Sequence, residues 1–78
     1  MQNDLVKVFY EHDPMQIGVK ENNLLDEYDS EIELIIENIE NIEDENVREL
    51  LEFVFEEMFG MIPELSEAFV SSVKSIIL

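Results

Sequence analysis

From residue 30 to residue 58 the apolar side chains recur at steps of three and four. They are Ile32, Ile35, Ile36, Ile39 and Ile42, followed by Val47, Leu50, Leu51, Val54, Phe55 and Met58. That spacing winds onto one side of an α-helix, whereas a half-buried strand needs strict alternation. Alternation fails at Ile35-Ile36, and no glycine or proline interrupts the run. The chain is therefore expected to be all-α.

Boundary residues divide the pattern into about four helices. Asn3 or Asp4 is placed to cap a first helix with Leu5, Val6, Phe9 and Tyr10 on one side. It should end near His12, because Pro14 forces Asp13 out of the helical region. Residues 13–29 then read as an ordered, irregular connector. Met15, Ile17, Val19, Leu24 and Leu25 make it too apolar for a free linker, and Gly18 permits a turn.

The second helix is expected to start at Asp29 or Ser30 and to carry the isoleucines to Ile42, with Ser30 and Glu33 at capping-box spacing. The third starts at Asp44 or Asn46 and stops at Gly60. A fourth begins near Pro63, with Leu65, Ala68, Phe69, Val73, Ile76 and Ile77 inward and Ser66, Ser71 and Ser75 outward. The expected architecture is a single domain, residues 1–78, forming a compact bundle with an ordered Asp-Pro connector after its first helix.

Charge is the outlying property. Twenty acids stand against Lys7, Lys20, Arg48 and Lys74, for a net charge of -16. Small domains remain soluble on a net charge of magnitude about 2–8. Solubility or a halophilic habit explains the sign of this charge better than its size. Direct binding to nucleic acid or to an anionic membrane would oppose the field. A basic protein would be attracted and its association accelerated.

The acids are also patterned. Glu33, Glu37, Glu40 and Asp44 fall at helical steps, and Glu45, Glu49, Glu52 and Glu56 repeat them. Two acidic stripes on consecutive helices are expected. Each like-charge pair at this spacing costs about 0.2–0.5 kcal/mol. Arg48 is expected to relieve this locally, for instance beside Glu52. The plain alternative is the solvated side of two amphipathic helices. As a mimic of nucleic acid one stripe is too sparse: its charges lie roughly 5.5 Å apart along the helix, against about 3.4 Å for phosphates along a strand.

Catalytic chemistry finds little footing. His12 is the only histidine, cysteine is absent, and the two glycines are isolated. A His12 cation at a helix end is better read as a partner for the helix dipole than as a general base. No nucleophile motif, phosphate loop or zinc ligand set is present. The oxygen-rich run Asp26-Glu27-Tyr28-Asp29-Ser30-Glu31 lacks the alternating ligands and turn glycine of an EF-hand loop. A non-enzyme without cofactor or metal is expected. The acidic N-terminus does not read as a signal peptide, and Pro63, Glu64, Glu67 and Lys74 interrupt the most apolar stretch, so a cytoplasmic address is expected.

The segment His12-Asp13-Pro14-Met15-Gln16-Ile17-Gly18, then Glu27-Tyr28-Asp29-Ser30-Glu31-Ile32, resembles the YugE-like family of small helical bacterial proteins, which has no assigned activity. Phe55-Glu56-Glu57 and Ile62-Pro63 extend the likeness over most of the chain. Members tend to carry tryptophan where His12 stands here. The resemblance implies a four-helix fold with an ordered Asp-Pro loop, and it carries over no catalytic residue.

Two functions are expected from these features. The first is an immunity or antitoxin-type inhibitor that binds a cationic toxin domain, for instance a nuclease. The acidic stripes would steer it, and Tyr28, Tyr10 or Phe53 would supply an aromatic anchor. The second is a housekeeping adaptor or structural module. A homodimer belongs with it, covering a surplus of apolar surface at Phe53, Val70 and the C-terminus.

Overall fold

The computed structural model describes residues 1–23 and 27–78; Leu24, Leu25 and Asp26 lie outside the described residues. Among the described residues the chain forms α1 (Gln2–His12), α2 (Asp29–Glu37), α3 (Val47–Phe59) and α4 (Glu67–Ile77), and no strand. A 3-10 turn, Asp44–Asn46, leads directly into α3. Each helix packs against two others, α1 on α2, α2 on α3, α3 on α4 and α4 back on α1. The radius of gyration is 11.5 Å, which is the about 11.5 Å expected of a compact chain of this length.

The core follows the predicted stripes. Leu5 and Phe9 of α1, Ile32 and Ile35 of α2, and Val47, Leu51, Val54 and Phe55 of α3 are all buried. Phe69, Val70 and Val73 bury the inner side of α4. Phe9 stands at the crossing point. Its ring centroid lies 5.1 Å from Phe69, 5.3 Å from Tyr28 and 6.1 Å from Phe55, so one side chain touches every other layer of the bundle. Truncating such a residue to alanine costs about 3–5 kcal/mol, a large part of what a domain this small has.

The ends of the helices differ from expectation in instructive ways. The N-cap of α1 is Met1, not Asn3 or Asp4, and no side chain caps it. Its C-terminus is as predicted, with Asp13 left-handed at φ 43° after His12. α2 opens at Asp29, but Ser30 lies inside the helix and the N-cap is Tyr28 with no side-chain cap, so the capping box does not form. α2 also stops early. The Asn38 side chain takes the Leu34 carbonyl at 2.8 Å, and Asn41 turns left-handed at φ 67°. Asparagine competes with the helix in this manner by offering the backbone other hydrogen bonds. Ile39 and Ile42 pack against the core from outside any helix.

The fourth helix begins after Ser66 and not near Pro63. Ser66 is extended, and its hydroxyl accepts the Phe69 N–H at 3.1 Å, a better N-terminus than proline alone provides. Leu65 is buried ahead of the helix, while Ala68 is exposed. Val70 is buried and so belongs to no apolar surplus.

One carboxylate holds the first part of the connector, residues 13–19, and ties it to Tyr28. Asp13 Oδ2 accepts the Gly18 N–H at 2.8 Å and the Val19 N–H at 3.4 Å, and Oδ1 accepts the Ile17 N–H at 3.1 Å. The Tyr28 hydroxyl donates to the same Oδ1 at 2.7 Å and accepts the Met15 N–H at 3.0 Å. Gly18, at φ 79°, brings those amides round to the carboxylate, and Val19 is buried behind them. This is the turn-fixing role expected of aspartate before proline.

Candidate protein-binding surface

Helix α3 buries one side and leaves the other to solvent. At 100° per residue, Glu49, Phe53, Glu56 and Glu57 share the outer side, with Glu52 at its margin. Glu49, Glu56 and Glu57 are exposed and Glu52 is half-buried. Phe53 is 47% exposed. An aromatic ring thus stands on the helix with Glu49 four residues before it and Glu56 and Glu57 three and four residues after it.

The stripe expected on α2 is shorter than predicted. Glu33 and Glu37 share its outer side, but α2 ends at Glu37. Glu40 lies in the following turn, and Asp44 and Glu45 lie in the 3-10 turn before α3. The two asparagines that end the helix break the register. Asp44 is further withdrawn by Lys74, whose ammonium lies 2.8 Å from its carboxylate. Glu45 precedes α3 and is not part of its helical face.

Tyr28 is not a surface anchor. It is 3% exposed, with its ring against Phe9 and its hydroxyl committed to Asp13. Burial and the adjacent Asp13 carboxylate push its phenol well above its usual range. Tyr10 is half-buried on α1. Phe53 is the predicted anchor that reaches solvent.

Arg48 and Lys20 are engaged away from the acids of this surface. Arg48 reaches Glu67 at 2.7 Å and the Leu65 carbonyl at 3.2 Å, pinning the start of α4 and not relieving Glu52. Lys20 pairs with Glu11 at 3.2 Å. Among the described residues none of Glu33, Glu37, Glu40, Glu45, Glu49, Glu52 and Glu56 has a cationic partner at salt-bridge distance. Such exposed pairs are weak, so their interest is in which acids they leave unpaired.

Two further features complete the surface. Met58, Phe59, Met61 and Ile62 are 42%, 37%, 57% and 46% exposed. They flank Gly60, whose left-handed φ of 73° ends α3. Periodicity assigned Met58 to the core, but it is the Phe59 ring that folds back, toward Phe55 and Tyr28. A cleft of about 300 Å³ opens between the His12-Asp13-Pro14 corner and Glu64 and Ser66. Its Asp13 carboxylate is filled by the connector, its Ser66 hydroxyl caps α4, and His12 lies edge-on to Phe69 at 5.6 Å. Asp13, Ser66 and Phe69 of its lining are therefore engaged in holding the fold. Among the described residues no cluster of three or more His, Asp or Glu forms a metal site, and no helix is long and apolar enough to cross a membrane.

Comparison with known protein families, with characterised proteins and with solved structures returns no match to this chain.

Proposed function

We propose that the chain is a small inhibitor of the immunity or antitoxin type, which neutralises a cationic toxin domain by binding it directly. The observation that carries this reading is Phe53, half-exposed on α3 between Glu49, Glu56 and Glu57. Leaving a phenylalanine 47% exposed there forgoes part of a burial that is worth about 1.5–3 kcal/mol when complete. Surrounding it with unpaired acids adds repulsion along the same helix. Both costs are recovered against a partner that brings apolar surface for the ring and lysine or arginine for the rim. Aromatic anchors dominate interface energetics, and complementary charge raises the association rate.

Inhibition of this kind needs no chemistry from the inhibitor, only a surface that occludes the partner. The net charge of -16 makes a nuclease domain, itself basic toward its substrate, a fitting target. An adaptor or homodimer built on the same face is the weaker alternative, because an isologous contact would set each acidic rim against its own copy. Membership of the YugE-like family stays a proposal, supported by the ordered Asp13-Pro14 loop.

The test is affinity capture from the native cell with elution by a salt gradient, run in parallel on the wild type and on Phe53→Ala. The expected result is one basic protein released by salt from the wild type and not retained by the variant. Recovery of the chain alone, or of a partner held equally by both, would count against the proposal.

A further inference from the structure

We infer that the exposed apolar segment Met58, Phe59, Met61 and Ile62, where α3 turns toward α4, is a second docking site, and that its occupant is a basic amphipathic helix. The four side chains lie within five positions of the sequence, and every one of them is more than a third exposed. Exposed apolar residues scattered singly are ordinary, but a run of this kind marks an interaction site. A Cβ at Gly60 would meet nothing within 4 Å, so the left-handed φ of 73° and not crowding calls for glycine at this turn.

Charge selects the occupant. Glu56 and Glu57 precede the segment and Glu64 follows it, all three exposed and without a cationic partner among the described residues. A second copy of the chain would bring the same acids against themselves, at a net charge of -16 on each side. A neutral apolar helix would leave these carboxylates at the rim of the contact unanswered. A helix with one apolar side and lysine or arginine on its flanks satisfies both halves of the patch. Methionine suits such a contact because its unbranched side chain adapts to different apolar partners. This inference rests on the reading that the natural partner is basic; its apolar anchors lie outside the Phe53 face, with which it shares the acids Glu56 and Glu57.

The test uses the full chain and a synthetic helix of leucine and lysine, about 18 residues or five turns long. A peptide of the same composition in scrambled order is the control. Titration calorimetry should show the amphipathic peptide binding at least about tenfold more tightly than the scrambled one, as expected if apolar anchors and not charge alone decide the contact. The double variant Met61→Ser, Ile62→Ser should lose that advantage while keeping its thermal midpoint, since both side chains are exposed. Equal binding of the two peptides, or full binding by the double variant, would overturn the inference. So would sedimentation showing a dimer of the wild type that the double variant cannot form. If native capture depends on Phe53 while the peptide shows no preference, this inference fails and the proposed function stands.

Discussion

The Tyr28 hydroxyl and the Asp13 carboxylate, 2.7 Å apart, join the end of α1 to the start of α2 across fifteen residues. The same hydroxyl accepts the Met15 N–H, so Tyr28 holds the start of the connector at two points. Tyr28→Phe keeps the ring packing on Phe9 and removes only these bonds. Because one of them ends on a charged group, the variant should lose about 1.5–3 kcal/mol. Urea unfolding followed by helical circular dichroism measures this. An unchanged midpoint would show that the hydroxyl does not hold the connector.

Acid should expose the Asp13 cluster. Burial alone would raise this carboxyl, but the Tyr28 hydroxyl and the Gly18, Ile17 and Val19 amides outweigh it and hold it below its usual value. A carboxyl lowered in the folded state contributes stability that is present above its unfolded pKa, about 3.9, and is lost as pH falls through the folded value. Meanwhile the net charge of -16 shrinks as pH drops from 7, easing self-repulsion. Stability should therefore rise on mild acidification and fall below about pH 4. Asp13→Asn should be less stable at pH 7 and have a flatter acid limb. Thermal midpoints across pH for both proteins check it.

Glu31 should behave in the opposite sense. It is 4% exposed in the first turn of α2. Burial raises its carboxyl above the usual range; its own backbone N–H opposes this, and the charges of Glu27 and Asp29 add to it. A raised carboxyl contributes fully below its unfolded pKa, about 4.3, and that contribution is lost as pH rises through the folded value. Glu31→Gln should accordingly stabilise the fold at pH 7 and not at pH 4. Denaturant midpoints at the two values would decide it, and a variant destabilised at pH 7 would mean the charged form has a partner in the fold.

Changing Glu37, Glu40, Glu49 and Glu52 together to glutamine removes four charges that have no cationic partner among the described residues. Folding should be preserved or improved, by at most about 0.5 kcal/mol per relieved pair. Calorimetric melting measures this. A clear drop in midpoint would show that these acids hold the structure and are not free for a partner.

Much of the fold was legible because its signals are local. Pro14 ended α1, and Val47 to Phe55 wrote the buried side of α3 in plain period. The end of α2 was not, because Ile39 and Ile42 continue the apolar spacing while Asn38 and Asn41 bend the backbone beneath it. Asparagine at those two positions was the available signal. Ser66 likewise falls at an outward position of the period and yet caps α4, three residues after Pro63. The site divides in the same manner. Phe53 on an acidic face follows from spacing along one helix. The burial of Tyr28 does not, since it depends on Asp13 and Phe9, which meet it only in the folded chain. The exposed segment from Met58 to Ile62 carries the composition of a core and declares itself only by where the chain turns.

We propose that the acidic, aromatic-bearing face of α3 binds a basic protein. The most direct test is the dissociation constant of the captured partner measured across a series of salt concentrations, for wild type and for Glu49→Gln, Glu52→Gln, Glu56→Gln combined. Affinity should fall steadily with salt for the wild type and be weaker, with a flatter dependence, for the triple variant. Equal affinity and equal salt dependence for the two proteins would contradict it.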